Sequence, residues 1–134
     1  MALKNKSAYE GRQEQVRKIK LPIIEAVENK YKDRTYTVHL DIQEFSCVCP
    51  RTGMPDYAVF ELDYVPGKLL VELKSLKLYL TAFRNMGIFH ENVVNRVSDD
   101  FIKACRPRYL KVKGIFNTRG GIKASVIREY GKLR

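Results

Sequence analysis

TYTVHLDIQEFSCVCPRTGMPDYAVFELDY, residues 35–64, holds two alternating runs on either side of a turn. Over 35–45, Val38, Leu40 and Ile42 alternate with His39, Asp41 and Gln43, the period of a half-buried strand. Residues 57–64 read as a second strand. Between them stands CPRTGMPD, residues 49–56. Pro50 drives Cys49 out of the helical region into extended backbone. Thr52-Gly53 followed by Pro55 is strong turn punctuation. The chain therefore leaves one strand at Cys49, turns, and rejoins the next near Asp56.

Outward from this pair, Pro66-Gly67 marks a turn and residues 68–73 a third, short extended run. Residues 75–86 carry Leu76, Leu78, Tyr79, Leu80, Ala82 and Phe83, which fits a largely buried helix with Gly87 in the C′ role. A second helix is expected over 90–105, with Val93, Val94, Val97, Phe101, Ile102 and Cys105 on its inner stripe and Pro107 as its stop. Residues 109–116 and 122–130 alternate again as strands, joined by a hairpin loop over 117–121. Strands, two helices, then strands is the order of an α+β fold, an antiparallel sheet with both helices on one face. Residues 1–33 read as an N-terminal arm whose apolar cluster, Leu21, Ile23, Ile24, Ala26 and Val27, makes a short helical turn or docking segment. Residues 34–134 form the single domain.

At 134 residues the chain suits one domain with a real core. It has no apolar run of membrane-spanning length and no signal-peptide pattern, so a cytoplasmic location is expected. Cys47, Cys49 and Cys105 make an odd number, which favours reduced thiols over a disulfide framework. The net charge of +10 is concentrated late: residues 101–134 hold ten Lys or Arg against one acid, Glu129. Such a surface suits a polyanion, either nucleic acid or the phosphates of a nucleotide cofactor, or else consists of solvated strand faces.

Three constellations carry chemistry. Cys49 and Asp56 pair a thiol with a carboxylate around one turn. A free thiol is only a few per cent thiolate at pH 7, so a nucleophilic cysteine needs a base, and Asp56 suits that role as well as later proton donation. The alternative is a small buried cysteine that fills space. ELKSLKLY, residues 72–79, puts Ser75 at a natural N-cap and Lys74 and Lys77 close to one helical face, an arrangement that is either an anion site or a capped surface helix. FHEN, residues 89–92, opens the second helix. Glu91 there either complements the macrodipole or, with His90, grips a guanine-like edge through two N–H donors.

CPRTGMPD, ELKSLKLY and FHEN, in this order and at these spacings, closely resemble the 7-cyano-7-deazaguanine reductases of queuosine biosynthesis, the QueF-type nitrile reductases of single-domain form. The resemblance runs over about residues 35–127. It implies a tunnelling fold (T-fold): a four-stranded antiparallel sheet with two helices per subunit, several subunits closing into a barrel, and a decamer of two pentamers with sites at subunit interfaces. It implies Cys49 as the nucleophile that forms a covalent thioimide with the nitrile and Asp56 as the proton donor. Val71, Glu72, Leu73, His90 and Glu91 match the substrate-binding positions, and Lys74, Ser75, Lys77 and Arg119 are the candidates for NADPH. The substrate is then the free base 7-cyano-7-deazaguanine, reduced to 7-aminomethyl-7-deazaguanine, with no direct tRNA binding. No G-x-G-x-x-G follows a strand, so the cofactor is held by cations and a helix end and not by a Rossmann site.

Two other functions compete. A non-reducing amidinotransferase would use the same cysteine on a nitrile base already in tRNA, helped by the basic C-terminal third. An RNA-binding module without catalysis would leave Cys49 and Asp56 unexplained. No metal is expected, because the C-x-C spacing of Cys47 and Cys49 is tighter than that of structural zinc sites. Cys47 is expected to be core filler.

Overall fold

The computed structural model describes residues 16–133; residues 1–15, the first part of the expected arm, and Arg134 lie outside the described residues. Along the chain run β1 (Ala26–Glu28), β2 (Val38–Val48), β3 (Pro55–Val65), β4 (Leu69–Val71), α1 (Leu73–Thr81), a 3-10 turn (Ala82–Asn85), α2 (His90–Cys105), β5 (Tyr109–Phe116) and β6 (Ser125–Gly131). β2, β3, β5 and β6 form a four-stranded antiparallel sheet in that order. β1 and β4 form a separate antiparallel pair.

The two long strands carry a register shift. Ile42 pairs with Phe60, but Phe45 pairs with Ala58, so Gln43 and Glu44 together oppose Val59. This is a β-bulge, one extra residue in β2. Its effect is on parity. Before the bulge the inward residues are the even-numbered Val38, Leu40 and Ile42; after it they are the odd-numbered Phe45 and Cys47. If the same sequence ran as a regular strand without the bulge, Cys47 would point away from the core.

Both helices pack on this inner face. Phe45 stacks obliquely on Phe60 with centroids 4.5 Å apart and on Phe83 of the 3-10 turn at 5.7 Å, while Tyr64 meets Phe101 of α2 edge-on at 4.9 Å. α2 buries Val93, Val94, Val97, Ser98, Phe101 and Cys105. Close approach of α2 to β5 depends on Gly114: a Cβ there would lie 2.8 Å from Val94 Cγ2 and 3.0 Å from Phe116 Cε1. On the opposite face charges alternate across the strands, with His39 beside Asp63, Asp63 beside Lys111 and Lys111 beside Glu129. His39 Nδ1 lies 2.6 Å from Asp63 Oδ1 and Nε2 3.0 Å from Asp41 Oδ1. A neutral imidazole has one N–H and cannot donate to both, so this geometry favours the cation, and the carboxylates, Asp63 first, raise the His39 pKa.

Several expected boundaries need correction. α1 is shorter than 75–86: it ends at Thr81, and only the 3-10 turn continues it. It is also less buried than expected, with Leu76, Tyr79 and Leu80 inside and Leu78 exposed. Gly87 does not cap it, because Met86 is already extended and Gly87 bridges to Val48. The helical turn expected near residues 21–27 is instead strand β1, whose Ala26, Val27 and Glu28 pair with Val71, Leu70 and Leu69. The last hairpin loop is longer than 117–121; Arg119 and Ile122 pair around Gly120 and Gly121, both at positive φ, before β6 begins.

Gly114→Ala should destabilise the protein by about 1–3 kcal/mol, the usual penalty of overpacking, because the β-branched Val94 has no free rotamer to retreat into. Urea denaturation followed by circular dichroism measures it. An unchanged midpoint would mean that α2 does not depend on this contact.

Candidate active site

CPRTGMPD closes on itself through its backbone. Cys49 N donates to Met54 O at 2.8 Å, and Gly53 N donates back to Cys49 O at 2.9 Å. Gly53 takes φ 72°, a conformation that favours glycine, and Met54 N donates to Thr52 Oγ1 at 3.1 Å. The loop thus fixes Cys49 immediately beyond β2 and Asp56 just inside β3. Cys47 is the direct cross-strand partner of Asp56. Cys49 follows just past Val48, the last paired residue of β2, and its N–H bond to Met54 O carries the ladder one step on; both Cys49 and Asp56 lie close enough to Cys47 to act on its thiol.

The three thiols are free and differ in environment. Cys47 is 0 % exposed, and burial, then the neighbouring Asp56, then Cys49, push its pKa up to about 12. It is an inert core residue. Cys105 is also buried and pushed up to about 12 by burial. Cys49 is half-buried and reachable.

His90 arrives at Asp56 because the chain before α2 is sewn to the end of β2. Val48 N donates to Met86 O at 2.9 Å, and Ile88 N donates to Val48 O at 3.1 Å. His90 then lies flat on Phe116, with ring centroids 3.7 Å apart and planes within 9°. Its Nε2 is 3.2 Å from Asp56 Oδ2. Asp56 is only 8 % exposed, so its carboxyl is nearly buried beside the His90 imidazole. Glu91 stands exposed in the first turn of α2. From the last hairpin Arg119 reaches over and donates to Pro55 O at 3.2 Å. Cys49, Asp56, His90, Glu91 and Arg119 thus gather at one end of the sheet.

The remaining expected residues lie elsewhere. Tyr64 Oη accepts from Val71 N at 3.1 Å, which sets Val71, Glu72 and Leu73 beside the far end of β3. Eight residues of strand separate Tyr64 from Asp56, about 26 Å. Lys74, Ser75 and Lys77 follow on α1. Ser75 is not the N-cap. Glu72 is: its carboxylate accepts from Lys74 N and Ser75 N, both at 2.8 Å. These two donors, Lys74 N first, hold its carboxyl below the ordinary range. Ser75 is buried instead; its hydroxyl accepts from Glu25 N and donates to Glu72 O, each at 2.8 Å. The helix end expected to receive an outside anion is therefore filled by the chain's own carboxylate. Lys74 and Lys77 remain exposed, and Lys77 lines a cleft of about 400 Å³ between α1 and β2.

The QueF-like protein family model matches residues 55–134. An NADPH-dependent 7-cyano-7-deazaguanine reductase of Elusimicrobium minutum is 48% identical over 113 residues, which cover 84% of this chain and 85% of the relative. The chain belongs to this reductase family. Another 7-cyano-7-deazaguanine reductase, from Chlorobaculum tepidum, is 50% identical over 112 residues, 84% of this chain and 96% of its own. Among solved structures, the apo form of the archaeosine synthase QueF-Like shares the fold with TM-score 0.67 and 23% identity, covering 72% of this chain and 94% of its own. In this family member, sequence reasoning missed Phe116, the platform under His90. Strand alternation marks Phe116 only as a core residue, and nothing in the pattern says which ring lies upon it.

Native protein treated with iodoacetamide at pH 7.5 should be labelled at Cys49 alone, and at all three cysteines after unfolding, as read by peptide mass spectrometry. Labelling of Cys47 or Cys105 at the rate of Cys49 would contradict the burial described.

Proposed function

We propose that the chain reduces the nitrile of 7-cyano-7-deazaguanine to the aminomethyl group, in the cytoplasm, as a step of queuosine biosynthesis. The observation that carries the reading is the closed loop that holds the half-buried Cys49 at the end of β2, where Asp56, nearly buried, pairs across the strands with Cys47. Membership of a family whose relatives bear this activity in their names supports it. Cys49 adds through sulfur to the nitrile carbon, and its proton goes to Asp56, which returns a proton to the nitrile nitrogen. A thioimide on Cys49 results. NADPH, when bound, supplies the two hydrides that the four-electron reduction needs. After the first reduction the carbon–sulfur bond breaks and Cys49 recovers its proton; a closed site keeps water from hydrolysing the released imine. His90, braced on Phe116, keeps Asp56 turned toward the reacting nitrogen.

Lys74 and Lys77 fit a phosphate-bearing cofactor, since both ammonium groups are exposed and among the described residues neither has an ion-pair partner. Ser75 would serve by holding that helix end to Glu25 rather than by touching the cofactor. Arg119 would add a cation beside Cys49. Val71, Glu72 and Leu73 lie too far along the sheet to meet a ring held at His90 and Glu91 of the same chain. A second copy that brings its own β4–α1 corner to this end would complete the site. Association of this kind, with edge strands β2 and β6 pairing between copies, is the closure of a T-fold into a barrel, for which a decamer of two pentamers is our proposal.

Protein mixed with 7-cyano-7-deazaguanine and NADPH should consume two NADPH per amine formed, and without NADPH should gain the mass of the substrate at Cys49. Cys49→Ala should abolish the adduct, and Asp56→Asn should slow its formation by about a hundredfold or more. No oxidation and no adduct would sink the reading. An adduct without oxidation, with tRNA-borne nitrile turned over in ammonia, would select the amidinotransferase instead.

A further inference from the structure

Four cations surround a cleft of about 620 Å³ at the end of the sheet away from Cys49: Lys32, Lys68, Arg106 and Arg108. No carboxylate lines it, and among the described residues none of the four has an ion-pair partner. The contrast with their neighbours is local. Lys30 pairs with Glu28 at 2.6 Å and Arg34 with Asp33 at 3.3 Å, so the cations on either side of Lys32 are neutralised while Lys32 is not. These four side chains include part of the C-terminal charge excess that the chemistry at Cys49 does not use.

The cleft is rigid because three loops are pinned to one another. Asn29, 1 % exposed, donates from its backbone to Lys68 O at 2.9 Å and from Nδ2 to Gly67 O at 2.8 Å, while its Oδ1 accepts from Tyr31 N and Tyr36 Oη. That hub fixes the turn bearing Lys32 against the turn bearing Lys68. Arg108 N donates to Val65 O at 2.9 Å, which fixes the α2–β5 connection against the end of β3. These bonds fix the backbone positions from which the four cationic side chains start, so the charges share one rim. Arg106 adds a second sign. Among the described residues it alone of the non-glycines has positive φ, 45°, as the C-cap of α2. Glycine or asparagine takes that conformation at less cost, and an arginine there sets a guanidinium at the rim of the cleft.

The floor is apolar, formed by the half-buried Leu69 and the aliphatic stems of the surrounding cations, while Cys105 lies fully buried beneath it. An apolar floor under a cationic rim matches a ligand that is flat and apolar in one part and multiply anionic in another. Inorganic phosphate would leave the floor uncovered, and the volume is that of a small molecule. We propose that this cleft binds a phosphorylated nucleoside, its ring on Leu69 and the aliphatic stems beside it and its phosphates among the four cations. The source is either a free nucleotide or a second molecule of NADPH.

Isothermal titration of the full chain with inorganic phosphate, ADP, NADPH and a single-stranded RNA oligomer tests this. ADP should bind once per chain, more tightly than phosphate. Its affinity should fall at least tenfold in Arg106→Gln/Arg108→Gln and likewise in Lys32→Gln/Lys68→Gln, which leaves the strained position untouched. Circular dichroism of both variants should match the parent. Two NADPH equivalents per chain, one lost in the variants, would identify the cofactor as the source; one NADPH equivalent, unaffected by the variants, would identify a free nucleotide. No ADP binding, ADP binding unchanged in both variants, or binding of the RNA oligomer alone would overturn the proposal.

Discussion

One extra residue in β2 governs the chemistry available to this fold. A strand sends alternate side chains to opposite faces, so the parity of Val38, Leu40 and Ile42 would put Cys47 and Cys49 on the solvent side of the sheet. The bulge at Gln43 and Glu44 reverses that parity. Phe45 and Cys47 then join the core, with Asp56 opposite Cys47 and within reach of His90, and Cys49 follows two residues on. The bulge also frees the hydrophobic pattern from a conflict, since both halves of the strand bury their apolar residues on one face.

The second constraint is the pair of backbone bonds between Val48 and the segment Met86–Ile88. α1 and its 3-10 turn carry the chain along the sheet from the Tyr64 end to the Val48 end, and these bonds stop it there. α2 therefore begins beside the reactive loop, and its packing through Val94 on Gly114 fixes the direction in which it leaves. His90 needs both: the stitch for its position and Phe116 for its ring plane. The same course separates the lysine-bearing start of α1 from Cys49 by most of the sheet's length. A reaction that needs both ends must recruit a second copy or a ligand long enough to span them.

Much of this was legible in the chain. The bounds of α2 and β5 follow from periodicity and from Pro107, and the turn chemistry of Pro50, Gly53 and Pro55 announces the loop. What was not legible has physical causes. A bulge leaves the residue types of a strand unchanged and shows only in pairing. β1 is three residues long, too short for alternation to register, and is stabilised by its partner β4. Ser75 has the composition of a cap, but the longer Glu72 carboxylate reaches two backbone donors at once and leaves the serine to a tertiary bond with Glu25. Gly87 was read as a helix stop because glycine serves both there and where two backbones approach closely. The contacts of Arg119 with Pro55 and of His90 with Phe116 join residues far apart in sequence, and no local pattern encodes them.

We propose that the loop between β2 and β3 sets Cys49 and Asp56 on either side of one reacting carbon–nitrogen unit. A crystal structure of the protein incubated with 7-cyano-7-deazaguanine in the absence of NADPH measures this directly. The account predicts continuous density from Cys49 Sγ to the nitrile-derived carbon, with the nitrogen within hydrogen-bond distance of an Asp56 carboxylate oxygen. Substrate bound without a bond to Cys49, or a bonded adduct whose nitrogen points away from Asp56, would contradict it.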